Sequence, residues 1–109
     1  MTKQEVQLIS FKVIASAGES FDYFVKAVNA AKEKDFLTAQ DMMNKGNESL
    51  VIAHKEQTDL INAEINNEEI PFSILLIHAQ DHFMHATTYQ QNAKDAIEMY
   101  KVIYNSLKD

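Results

Sequence analysis

The scarcity of chain-breaking residues is the strongest constraint on how this sequence can fold. Only two glycines and one proline occur among its 109 residues. Turns between strands depend heavily on Gly, Pro, Asn and Asp, so a chain this poor in glycine and proline favours a few long helices. Its length fits a single domain with one modest core, spanning residues 1–109.

Apolar residues recur every three or four positions, which is the helical period. The resulting helices are predicted at about 5–34, 36–66 and 71–107. Asp35 is a good N-cap for the second helix, and Pro71 marks the start of the third because proline fits only in a first helical turn. Gly18 lies inside the first helix, where we expect a close helix crossing. Three long helices joined by short breaks predict an all-α, antiparallel three-helix bundle.

Charge and composition exclude several classes of function. The net charge is −6, and all ten basic residues are lysines, so we expect no nucleic-acid binding, which depends on clustered Lys and Arg. With no cysteine, the chain has no disulfide, thiolate nucleophile or Cys-based zinc site. The N-terminal stretch is too polar for a signal peptide, and no window of about 18 apolar residues could span a membrane. We therefore expect a cytoplasmic protein.

The third helix has a regular seam whose middle is polar. Every step along this seam is three or four residues; its members are Leu75, His78, His82, His85, Tyr89, Asn92, Ala96, Met99 and Ile103. Local rules tend to break at functional sites, so the polar middle indicates one. Residues 70–93 also carry a single formal charge, that of Asp81. We expect this stretch to be covered by its own bundle and by a second chain, because 109 residues can hardly surround so long a helix.

Three histidines and one carboxylate stand at helical spacing in this neutral stretch. His78, Asp81, His82 and His85 occupy positions i, i+3, i+4 and i+7, a sector roughly 100° wide. One interpretation is a structural layer of hydrogen-bonded histidines that fixes register. A second is a metal site, since His-x-x-x-His on a helix brings two ring nitrogens to one zinc ion and Asp81 adds an oxygen.

The third interpretation is a histidine that carries a phosphoryl group. Neutral imidazole is nucleophilic near pH 7, and phosphoryl transfer depends mainly on positioning and electrostatics. The apolar run before His78 suits a flat docking surface. Spacing alone does not choose between a phosphoryl carrier and a non-enzymatic helical oligomer that holds structural metal through His78, Asp81 and His82.

Three sequence blocks resemble one known family. The string IHAQDHFMHA (residues 77–86) is similar to the VHAQDHLMTA signature of the lactose/cellobiose enzyme IIA family of the bacterial sugar phosphotransferase system. VIASAGES (residues 13–20) resembles the small-residue stretch of that family. DFLTAQDMM (residues 35–43), followed by AHKEQTDLINAE (residues 53–64), resembles its Asp-Phe helix start and its AHxxQTxLI motif.

The resemblance implies a homotrimer of three-helix bundles that carries a phosphoryl group on His78. The donor would be the histidine-containing phosphocarrier protein, and the acceptor a cysteine of enzyme IIB during uptake of a lactose-, cellobiose- or chitobiose-type sugar. Asp81 would meet its two symmetry mates at the trimer axis around a divalent cation, typically Mg²⁺. His82 is interpreted as a supporting residue that is oriented toward the active pocket or the axis, with simple packing as the alternative.

Three departures from the family pattern stand near the site or its helix ends. Phe83 stands where Leu is usual, which is a tolerable apolar change. His85 replaces the usual Thr, so it is not expected to belong to the shared machinery. Lys34 replaces a Gly before the Asp-Phe start, which alters one turn.

Overall fold

A computed structural model describes residues 1–108 as three helices in a rod of 63 × 20 × 19 Å. The helices are α1 (Lys3–Lys32), α2 (Phe36–Ile65) and α3 (Ile74–Ser106). The all-α prediction is confirmed. α2 runs antiparallel to the other two, and α1 packs extensively on both, whereas α2 and α3 touch each other sparsely. Within residues 1–108, no helix combines the length and the apolar character that crossing a membrane requires.

The helix ends follow from side chains that satisfy otherwise unpaired backbone groups. Thr2 and Glu5 form a reciprocal capping box, so α1 begins at Lys3, two residues before the predicted start. It ends at Lys32 rather than at residue 34, because Lys34 adopts a left-handed φ of 64° that no helix continues. Asp35 caps α2 as predicted, accepting a hydrogen bond of 3.1 Å from the Thr38 N–H.

The third helix begins later than the position of its proline predicted. Ser73 is the N-cap of α3, and its hydroxyl oxygen accepts a 3.3 Å hydrogen bond from the Leu76 N–H. Pro71 therefore precedes the helix instead of opening it, and the predicted start at residue 71 is wrong. A serine hydroxyl can satisfy an orphan amide of the first turn, which proline cannot do. At its other end α3 stops at Ser106, one residue short of the prediction.

Helices α1 and α2 approach each other closely at Gly46. The Phe24 ring is fully buried there, and the Ser20 hydroxyl donates a 2.8 Å hydrogen bond to the Gly46 carbonyl oxygen. The expected crossing at Gly18 is wrong, because a Cβ atom at that position would meet nothing within 4 Å. Gly46, in the middle of α2, is the glycine that a close approach requires.

The buried face of α3 differs from the predicted seam by one residue. The buried residues on this face are Ala79, Phe83, Ala86, Ala93 and Ile97. The predicted seam lies about 100° away around the helix, so His78, His85 and Met99 are exposed. The three alanines recur every seven residues and let α3 approach α1 closely. Their small size made them a weaker signal than the larger residues one position away.

The side of α3 that points away from the bundle is uncharged over most of its length. We call this surface the outer strip, and its exposed members are Ile74, Ile77, Asp81, Met84, Thr88, Asn92, Asp95, Met99 and Val102. Five of them are large apolar residues, from 53% exposed at Ile77 to 75% at Ile74. The only charged members are Asp81 and Asp95. An apolar surface of this length is unusual for a protein that stays monomeric.

Candidate functional site

Two histidines form a contact pair near the start of α3. The Nε2 atoms of His78 and His82 lie 3.0 Å apart, and the two rings are nearly perpendicular, with centroids separated by 4.4 Å. Their spacing of four residues places them on neighbouring turns of one helix face. His78 is exposed, whereas His82 is half-buried.

The short distance between the two Nε2 atoms fixes what each ring can do. One ring donates an N–H and the other accepts through its lone pair, because two lone pairs or two protons at 3.0 Å would repel. When His82 is the donor, the Nε2 lone pair of His78 accepts, and the proton of His78 resides on Nδ1. The half-buried ring is then held in place by packing, and the exposed ring is presented to solvent.

The predicted cluster of four residues is not assembled within one chain. Among residues 1–108, no three His, Asp or Glu side chains stand close enough together to share a metal ion. Asp81 lies on the outer strip, whereas His78 and His82 contact each other. The structural-metal interpretation through His78, Asp81 and His82 therefore lacks its ligand set in the single chain.

His85 makes its aromatic contact with α1. Its ring packs on Phe21 of α1, with centroids 4.8 Å apart, and the Tyr89 ring packs on the same phenyl ring at the same centroid distance. These contacts explain how a histidine is accommodated at a position where a smaller residue is usual. The sequence did not reveal the role of Phe21, because the contact joins two helices at no fixed spacing.

Ser73 is a second residue that sequence reasoning missed. By starting α3 at Ile74, it places His78 in the second helical turn, where the backbone is already fully hydrogen-bonded. The available signal was the serine itself, one of the preferred N-cap residues, standing just before the apolar run.

The fold and the pair together define a class: an all-α protein that presents imidazoles on the surface of a rod-shaped bundle. Such a surface suits contact with another macromolecule better than enclosure of a small substrate.

Comparison with known proteins identifies the family of this chain. The family described as "PTS system, Lactose/Cellobiose specific IIA subunit" matches residues 8–101. The chain belongs to this family, and it is thus a component of a phosphotransferase relay.

Similar proteins with curated descriptions support the assignment along nearly the whole chain. The PTS system lactose-specific EIIA component of Staphylococcus epidermidis is 40% identical over 101 residues, covering 93% of this chain and 97% of that protein. The lactose-specific EIIA component of Streptococcus mutans is 33% identical over the same length.

Solved structures match the fold closely. The crystal structure of the cellobiose-specific enzyme IIA from Bacillus anthracis has a TM-score of 0.90 and 35% identity, covering 96% of this chain and 94% of that one. The solution structure of the IIA(Chitobiose)–HPr complex from Escherichia coli has a TM-score of 0.78 and 26% identity, covering 91% and 96%.

Proposed function

We propose that this protein accepts a phosphoryl group on Nε2 of His78 from the histidine-containing phosphocarrier protein and passes it to a cysteine of enzyme IIB. The transfer would serve uptake of a lactose-, cellobiose- or chitobiose-type sugar. The observation that carries the proposal is the pair itself. His78 is exposed, and a second imidazole stands 3.0 Å from the nitrogen that would react.

Each transfer exchanges one N–P or S–P bond for another. The Nε2 lone pair of His78 attacks phosphorus while the N–P bond of the donor histidine breaks and its electron pair returns to that ring. In the second step the thiolate of enzyme IIB attacks phosphorus, and the bond to Nε2 breaks. Phosphoryl transfer depends mostly on how the attacking and leaving atoms are positioned, so the protein needs few other groups that take part in bond changes.

His82 is the positioning residue in this proposal. In the unmodified protein its Nε2–H donates to the Nε2 lone pair of His78 and orients that ring, and this hydrogen bond breaks when the lone pair attacks phosphorus. After transfer, the same N–H lies beside the new N–P bond and can donate to a phosphoryl oxygen. Charge-assisted hydrogen bonds of this kind are among the stronger ones in proteins.

The partner assignment is supported by the IIA(Chitobiose)–HPr complex, which is similar to this chain in fold. Phe72, which precedes α3 and is 77% exposed, is an apolar side chain outside the outer strip that would meet such a partner. Apolar centres of this kind are typical of protein interfaces.

We further propose that three copies assemble through the outer strip. Association would cover its apolar side chains, which the single bundle leaves exposed. Asp81 would then meet two symmetry mates. Its carboxylate is exposed, and hard carboxylate oxygens suit a cation such as Mg²⁺. The cation would neutralise three converging carboxylates and is structural.

The proposal is tested by reconstitution. The protein is incubated with phosphoenolpyruvate, enzyme I and the phosphocarrier protein, and its intact mass is recorded. An acid-labile, base-stable gain of one phosphoryl group, lost again on addition of enzyme IIB, is the expected result. A gain that is stable to acid would indicate a hydroxyl acceptor and contradict the proposal.

A further inference from the structure

The facing nitrogens of His78 and His82 have a geometry that suits a metal ion as well as a proton. Two imidazole nitrogens bound to one tetrahedral zinc at about 2.0–2.1 Å stand about 3.3 Å apart. In this protein the two Nε2 atoms are 3.0 Å apart, so small side-chain rotations would admit the ion. Histidines four residues apart on a helix are a recurrent two-ligand arrangement for zinc.

The surroundings determine which metal this pair can hold. Imidazole nitrogens select borderline transition metals such as Zn²⁺ and Ni²⁺ over Mg²⁺. No third His, Asp or Glu completes the set within residues 1–108, so water must fill the remaining positions. The exposure of His78 leaves room for it. A site with two protein ligands and open positions binds reversibly and differs from the proposed carboxylate site on the outer strip.

We propose that His78 and His82 form a transition-metal site that blocks the phosphoryl-accepting nitrogen; the blocking step rests on the function proposed above. Both rings donate an Nε2 lone pair to the metal, and the ring that carried its proton on Nε2 moves that proton to Nδ1. No electron is transferred and no net proton is released from the neutral pair. Because one lone pair cannot bind both phosphorus and zinc, metal and phosphoryl group exclude each other.

The metal site is tested by calorimetric titration of the full chain with Zn²⁺ in excess Mg²⁺. We expect one Zn²⁺ per chain. Loss of a residue that hydrogen-bonds to a metal ligand typically lowers metal affinity by about 10- to 100-fold, and loss of a ligand itself should lower it at least as much. His82→Gln should therefore weaken Zn²⁺ binding by about 10- to 100-fold or more. His85→Gln is the matched control, since that ring packs on Phe21, and it should bind zinc like the wild type. Equal affinity in both variants, or one Zn²⁺ per three chains abolished by Asp81→Asn, would overturn the assignment.

Mutual exclusion is tested on the phosphorylated protein. Protein carrying one phosphoryl group should lose the zinc site, and wild-type protein preloaded with Zn²⁺ should accept phosphoryl groups more slowly until a chelator is added. Undiminished zinc binding by the phosphorylated protein would contradict the blocking step. A protein that binds zinc at the pair but never gains a phosphoryl group on His78 would refute the proposed function and leave the metal site standing.

Discussion

The Phe24 ring occupies the space that a side chain at position 46 would need. A Cβ atom built on Gly46 would stand 2.5 Å from one ring carbon of Phe24 and 2.7 Å from another. Because Phe24 is fully buried, its ring cannot swing into solvent to make room. The packing of α1 on α2 therefore requires that residue 46 has no side chain.

Substituting this glycine should be destabilising in spite of the better helix propensity of alanine. We expect Gly46→Ala to lower the free energy of unfolding by about 1–3 kcal/mol through overpacking. Gly18→Ala is the control: nothing lies within 4 Å of its Cβ position, so stability should rise by about 0.5–1 kcal/mol. Urea denaturation measures the free energy of unfolding of both variants and of the wild type. A stabilised Gly46→Ala variant would show that the helices are further apart than described.

The acid sensitivity of the fold should include a contribution from the cap of α2. Hydrogen bonds from Thr38 to the side chain of Asp35 lower the pKa of that carboxyl below its ordinary value. The folded state then binds fewer protons than the unfolded state, so this stabilisation is present above the unfolded pKa and lost as pH falls through the folded one.

Asp35→Asn isolates this effect, because asparagine also caps helices but does not titrate. The difference in urea midpoint between wild type and variant should shrink as pH falls from 6 to 2. A difference that stays constant or grows toward low pH would contradict the assigned cap.

Assembly through the outer strip predicts a specific sensitivity to charge. At micromolar concentration, sedimentation equilibrium should give three times the chain mass of 12.4 kDa. Met99→Glu should dissociate the trimer, since it adds three converging carboxylates and burying each unpaired ion costs several kcal/mol. Leu37→Glu, an equally apolar-to-charged change at an 88% exposed position on α2, should leave the trimer intact. A wild-type mass of 12.4 kDa across this range would rule the assembly out.

The carboxylates of Asp81 should make trimer stability depend on a divalent cation. We expect the melting temperature of the wild type to fall when a chelator removes the cation, because a ligand that binds only the folded assembly stabilises it. Asp81→Leu should remain trimeric and become insensitive to chelator, since repulsion and the need for metal disappear together. Asp59→Leu, at an exposed position on α2, serves as the control and should respond as the wild type does. Monomeric Asp81→Leu, or an indifferent wild type, would defeat this account.

Sequence reasoning succeeded where one residue acts on its own backbone and failed where two helices meet. Asp35 could be identified as a cap because capping depends only on neighbours along the chain. Gly46 could not be separated from Gly18, since the difference lies in Phe24, which approaches from another helix. For α3, the spacing brought His78 and His82 together correctly, but it could not show that Asp81 forms no three-residue metal site with them within residues 1–108.

We expect His78, and no other histidine, to accept the phosphoryl group. The most direct measurement is intact-mass labelling of four proteins by phosphoenolpyruvate, enzyme I and the phosphocarrier protein: the wild type, His78→Ala, His82→Ala and His85→Ala. Circular dichroism checks that each remains helical, as expected because His78 and His85 are exposed. We predict no label in His78→Ala, slower labelling in His82→Ala and wild-type labelling in His85→Ala. Wild-type labelling of His78→Ala would contradict the account.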